Sequence, residues 1–453
     1  MFDWTYRKRL KDDLEDWVAK GWVSAQSAGE ILRDQETGDG RSRLPLALAG
    51  IGMVCVALAL FAFIAANWDA IPKSLKLAGI AVLVIMSHGL AAVAASRGSR
   101  GIADLLTGFA TLVFVGGLSL VGQIFHLPAD WAGGSVLICF GALAAAWLTG
   151  SRTSLIVVVV AAITWQVFRT QAGDPTWLAY VFSLSVLGAV FAHAILYPAR
   201  ISRWAAICLL WVTYGRWFID TGDTMKEWND AILVMGIAGC GALAVIMMQL
   251  DALADLCVKW SSGRPMRSHG QWLMARSMQD AGMLVLCAVL VFTLIIVPEI
   301  SDDLVMGGLL EYPALVPVTI AVGFSVAGLL LSFKTEKALV LFAATAFCLP
   351  VIVVPVATLD LVILAGLTLA ALVGLCTLAT WYNNRFWMLC TYLALTAVAL
   401  WLLQVTIGSL LGQSLFFLIA GIVLLGVALW LARIFRKSGK PPAASSDMKE
   451  VQP

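Results

Sequence analysis

Residues 45–66 read PLALAGIGMVCVALALFAFIAA, twenty-two positions without a charged side chain. A bilayer core is crossed by a helix of ~20 consecutive apolar residues. Lipid offers backbone N–H and C=O groups no partners, so the crossing segment must satisfy them internally, as a helix does. Comparable runs follow almost without interruption from Leu44 to Arg433, separated only by short polar punctuation. We therefore expect an all-α fold, a polytopic transmembrane helix bundle of about fourteen spans with both termini cytosolic. The expected spans are roughly 45–66, 76–96, 103–125, 132–149, 153–170, 176–197, 203–219, 230–249, 280–298, 312–332, 338–358, 360–380, 386–407 and 414–433.

Composition agrees with that class. Of 453 residues, 60% are hydrophobic and 13% charged, with mean hydropathy +0.90. Soluble domains carry about 25% charged residues. The net charge of +2 includes no clustered basic face, so no nucleic-acid partner is expected. Nine cysteines, at 55, 139, 208, 240, 257, 287, 348, 376 and 390, stand singly. They form neither a disulfide framework nor a zinc site and read as small packing residues. No metal and no cofactor is expected.

Three regions are expected along the chain. Residues 1–43 form a short cytosolic helical segment, 44–433 the bundle, and 434–453 a disordered basic tail. In the first region Leu10, Leu14, Trp17 and Val18 recur on one helical face. Gly21 ends that helix and Ser24 caps the next. The first apolar run exceeds a signal-peptide core, so it is expected to remain as an anchor.

Charge placement tests the topology. With residue 1 in the cytosol, Arg41, Arg43, Arg97, Arg100, Arg152, Arg200, Arg203, Lys259, Arg264, Arg267, Arg276, Lys334, Lys337, Arg385, Arg433, Arg436, Lys437 and Lys440 fall inside. Only Lys73, Lys76, Arg169, Arg216 and Lys226 fall outside, so the cations divide 18 to 5 as the positive-inside rule requires. On the outer side Asp69, Asp130, Asp174, Asp230, Glu311 and Asp360 each stand where a helix begins. Acids there cap N-termini and meet the positive end of the dipole.

Three polar clusters interrupt the apolar pattern. Ala65-Ala66-Asn67-Trp68-Asp69 joins spans one and two, and Gly122-Gln123-Ile124-Phe125-His126-Leu127-Pro128-Ala129-Asp130-Trp131 joins spans three and four. Ser87-His88-Gly89 lies within span two. The topology brings the first two to one face, where Asn67, Asp69, Gln123, His126 and Asp130 line a candidate pocket beside Trp68 and Trp131. One reading is a substrate-binding or acid–base site, since imidazole titrates near neutrality beside carboxylates. The other is interfacial anchoring, with Trp in the headgroup belt and Asp capping helices. His88 lies deeper, where polar side chains usually face the bundle interior. Its readings are a proton relay or a neutral imidazole bonded to a neighbouring helix. Pro350 and Pro355 free backbone carbonyls in span eleven. Arg216, beside Tyr214 and Trp217, reads as a snorkelling cation.

These same residues, Ala65–Asp69, Ser87–Gly89, Gly122–Leu127 and Asp130-Trp131, resemble the bacterial predicted membrane proteins of domain-of-unknown-function family 2157. The resemblance is clearest over residues 1–150. It implies a bacterial inner-membrane location and marks the two hairpins as the family's hallmark, without supplying an activity. Three functions stay open. Transport or flipping of a small or lipid-like solute, with membrane lipids as the surrounding partners, is the leading expectation. A membrane-embedded enzyme acting on an envelope or lipid-linked substrate is the second, and a structural or regulatory protein acting through residues 1–43 the third.

Overall fold

The computed structural model describes residues 11, 13–31, parts of 48–63, 72–169, 177–222, 230–260, 268–296, 312–333, 335–353 and 361–405. Every regular element among them is helical. Among the described residues twelve helices follow position 72: α1 (Lys73–Ser96), α2 (Arg100–Ile124), α3 (Trp131–Thr149), α4 (Arg152–Phe168), α5 (Trp177–Leu196), α6 (Arg200–Gly222), α7 (Asp230–Trp260), α8 (His269–Ile296), α9 (Tyr312–Leu331), α10 (Glu336–Val353), α11 (Leu361–Trp381) and α12 (Arg385–Val405). Ten of these are long and apolar enough to cross a membrane, and α4 is a shorter apolar helix. The expected first and last spans, 45–66 and 414–433, lie wholly or largely outside the described residues, as does the tail.

Each helix begins and stops for local reasons. Asp130 caps α3 by accepting from the Gly133 amide at 2.7 Å, as its placement predicted. Ser151 caps α4 through the Ser154 amide. At the amino terminus Gly21 turns left-handed and Ser24 accepts from the Ser27 amide. Two helices depart from expectation. The span expected at 230–249 continues helically to Trp260, and the span expected at 280–298 starts at His269. Residues 250–260 contain no Gly or Pro and several good helix formers. At about 46 and 42 Å, α7 and α8 therefore outrun a hydrocarbon core of ~30 Å. Asp251, Asp255 and Lys259 on α7, with Arg276 on α8, give the extra turns a polar character.

The chain divides into two compact units. The first holds residues 1–217 and 268–274. Within it α2 packs against α1, α3 and α4, and α3 packs on α4. Glycines set the close approaches. A side chain at Gly108 would meet Thr153, at Gly117 Ile80, and at Gly141 the Phe114 ring. The helix ends alternate as a threaded chain requires. Asp104 meets residues 151–153 and Ala146 meets His193 at one end. Trp131 stacks on Phe168, and the Arg169 guanidinium lies over Tyr180, at the other.

The second unit holds residues 218–267 and 275–453. Here α7 packs along α9 and α10. Its core contains Val245, Met247, Met248, Met283, Leu286, Leu290, Phe342, Leu372 and Leu375. Gly282 sits against the Ala244 carbonyl, bringing α8 onto α7. A polar knot ties three helices. The Gln249 amide donates to Ser325 Oγ at 2.9 Å and Thr345 Oγ1 at 2.8 Å, and its oxygen accepts from Ser325. Gln249 is fully buried, and both its donors and its oxygen are used. In α10, Pro350 is accommodated inside the helix; Pro355 lies outside the described residues.

Candidate functional site

His126 is placed by the end of α2. The chain stops with the Leu127 amide on the Gly122 carbonyl and the His126 amide on the Gln123 carbonyl, a Schellman ending. That ending puts His126 at φ +51°, the left-handed position usually held by glycine. Gln123, His126 and Asp130 are all exposed at this end, with Trp131 62% exposed and its ring 5.9 Å from Phe168. The Asp130 carboxylate serves as the cap of α3, which matches the structural reading of that acid. Asn67, Trp68 and Asp69 lie outside the described residues. Because α1 runs antiparallel to α2, with Ile80 against Gly117, Pro72 and Lys73 stand at the same end as Phe125.

His88 belongs elsewhere. It lies fifteen residues along α1 from Lys73, about 22 Å by helical rise, so it does not join the His126 group. Its Nδ1 lies 2.9 Å from the Val84 carbonyl. A carbonyl only accepts, so Nδ1 carries the proton and Nε2 presents a lone pair. The imidazole thus bonds its own helix, whereas a neighbouring helix was expected. Ser87 does the same, donating to the Leu83 carbonyl at 2.7 Å. His88 also walls a partly open cavity of about 280 Å³ between α1, α2 and α3. The rest of the wall is Val84, Thr111, Phe114, Gly141, Ala145, Leu148 and Thr149.

The threonines in this wall are committed. Thr111 donates to the Thr107 carbonyl and meets Ser154 at 2.9 Å, and Thr149 donates to the Ala145 carbonyl at 2.6 Å. Among the described residues no lysine, arginine, aspartate or glutamate lines the cavity. Gly141 lets the Phe114 ring approach α3 closely, and Ala145 adds only a methyl group to the wall.

Other polar groups carry structure, and among them the sequence reading did not single out Asp104 or Gln166. Asp104 Oδ1 accepts from Ser151 Oγ at 2.7 Å, the Arg152 amide at 2.8 Å and the Thr153 amide at 3.3 Å, capping α4 from a different helix. With Gly108 and Thr111 it forms an i, i+4, i+7 stripe, which is the signal that could have revealed it. His193 is fully buried. Its Nε2 donates to the Ala146 carbonyl at 3.1 Å, at the end of α3, between Trp147 and Tyr197. Gln166 bridges α4 to Thr213 on α6 at 3.0 Å. Tyr214 lies between Trp211 and Trp217, extending the aromatic surroundings of α6.

In the second unit Asp280 accepts from Trp387 Nε1 at 2.8 Å and from Asn384 at 3.2 Å. Beside it the Tyr382 hydroxyl donates to the Lys337 carbonyl. Burial holds that phenol above its ordinary value, so it remains a donor at neutral pH. These contacts gather residues 280, 337 and 382–387 at one end of the unit, as the alternating topology expects.

The helices define a membrane protein with several transmembrane segments. Residues 15–155 match the family described as Predicted membrane protein (DUF2157), the one that the hairpin residues resemble. All eight cavity-lining residues and the His126 turn lie inside that match. No curated protein and no solved structure matches the chain.

Proposed function

We propose that this protein moves a lipid-like amphiphile across the membrane, lodging its apolar part in the cavity between α1, α2 and α3. The cavity itself carries the reading: a partly open hollow of about 280 Å³, walled among the described residues by mostly apolar groups, one imidazole and two threonines. Ligand sites commonly run ~300–1,000 Å³. A volume just below that range suits one alkyl chain better than the paired tails of a phospholipid. The frame for this activity is a bundle of fourteen spans in a bacterial inner membrane, with both termini cytosolic and membrane lipids around it. The 18 to 5 division of cations supports that orientation. Asn67, Trp68, Asp69, Gln123, His126, Asp130 and Trp131 then form a polar station at the outer end, where a headgroup is received. His88 stands between that station and the inner end.

A second reading makes His126 the acid–base group of an enzyme acting on an envelope or lipid-linked substrate. Its left-handed backbone favours this, because strained residues cluster at functional sites. The Asp130 carboxylate is occupied as a cap, which weakens the paired-carboxylate version.

Proteoliposomes carrying fluorescent single-chain amphiphiles with neutral, anionic and cationic heads test the first reading. Dithionite quenching should reveal protein-dependent translocation of at least one of them, reduced at least tenfold by Ala145→Phe, which fills the cavity. Equal translocation with and without protein would overturn it. A knockout profiled for lipids and metabolites, rescued by wild type, separates the enzymatic reading: accumulation of a chemically unconverted substrate supports the enzyme, and an unchanged set of lipid species supports transport.

A further inference from the structure

We infer that the α1–α2–α3 cavity selects a single-chain amphiphile whose head is uncharged and bears hydroxyl groups, with a hydroxyl donating to His88 Nε2. This rests on the amphiphile reading above and adds the chemical class of its substrate.

Among the described residues the cavity wall contains no cation to neutralise a phosphate or carboxylate and no carboxylate to receive an ammonium. Burying an unpaired charge among apolar groups is strongly unfavourable. A charged head would therefore remain unpaired there, whereas a hydroxylated head need not. Both threonine hydroxyls in the wall have spent their hydrogens on backbone carbonyls, Thr111 on Thr107 and Thr149 on Ala145. The His88 ring has spent its Nδ1 hydrogen on Val84. Nε2, the ring nitrogen with no hydrogen-bond partner among the described residues, is thus an acceptor. An occupant that satisfies it must bring an O–H or N–H.

Uncharged polyol or sugar heads meet that demand. The chain beneath such a head lies against Val84, Phe114, Gly141, Ala145 and Leu148. The ring is fixed by its bond within α1, so little rotameric freedom is lost when the hydroxyl arrives.

Binding, measured separately from transport, tests this. The purified protein in nanodiscs is photolabelled with a diazirine-bearing 1-O-decylglycerol. Competitors are unlabelled decylglycerol, its di-O-methyl ether, decyl phosphate and decylamine. Decylglycerol should compete best, with the dimethyl ether roughly tenfold weaker for lack of a donor. His88→Leu should erase the difference between decylglycerol and its ether, and labelled peptides should map to residues 84–88, 111–114 and 141–149. Competition by all four chains to the same degree, unaffected by His88→Leu but abolished by Ala145→Phe, would overturn the hydroxyl selection and leave the amphiphile cavity standing. Preference for the phosphate or the amine would overturn it likewise. Labelling that ignores Ala145→Phe would overturn both.

Discussion

His126 occupies the left-handed residue of a helix ending whose counterparts among the described residues are Gly21, Gly98, Gly150 and Asn383. Glycine and asparagine enter that region at little cost, whereas a residue with a larger side chain loses about 1 kcal/mol or more. His126→Gly should therefore raise the apparent Tm of the purified protein by an amount equivalent to about 1 kcal/mol, and His126→Val should lower it. If the imidazole serves the outer station, His126→Gly combines higher stability with lost translocation. A destabilised glycine variant would show that the turn is held by side-chain contacts and carries no strain. Gln123 and Asp130 lie close by in sequence and were legible as polar, but only the structure separates their roles: Asp130 is committed to the Gly133 amide. His88 and His126 looked like parts of one constellation in the sequence. The helical rise places them at different depths.

Helix pairing in this molecule depends on small residues and on caps supplied from neighbouring helices. At Gly282 a β-carbon would collide with the Ala244 backbone carbonyl, which cannot swing aside as a side chain can, whereas at Gly188 nothing lies within reach. Gly282→Leu should abolish monodisperse behaviour on size exclusion or lower Tm sharply, while Gly188→Leu should match wild type. Asp104→Leu removes several hydrogen bonds at the start of α4 at once. It should destabilise by about 2 kcal/mol, with Asp104→Asn intermediate because its amide oxygen still accepts. A differential scanning measurement in detergent ranks the three proteins. Element positions were largely readable: α3, expected at 132–149, runs Trp131–Thr149, and α12, expected from 386, starts at Arg385. The Asp104 cap was not, because its partners lie 47 to 49 positions away. The extensions of α7 and α8 were also missed, since a hydropathy reading stops where lipid ends and a helix need not.

Across the molecule, alternate helix ends should face opposite sides of the bilayer. In a cysteine-free background, single cysteines at Ser99 and Thr153 should react from one side with a membrane-impermeant maleimide, and cysteines at Leu127 from the other. Reaction of Ser99→Cys and Leu127→Cys from the same side would break the topology and the outer station with it. Reporter fusions at the chain ends then fix which side is cytosolic. The two compact units and the cavity in the first had no signature in composition, because Val84, Thr111 and Ala145 come from three segments whose pairing is not written in any one of them. Membrane residence and helicity were determined by the sequence alone. They follow from a local requirement: about twenty consecutive apolar residues whose backbone must bond within its own segment. Which helices touch, which acid caps which helix and where a hollow persists were decided only in the tertiary structure. Those outcomes depend on the fit between side chains far apart in the chain, and hydrophobicity along the chain does not encode that fit.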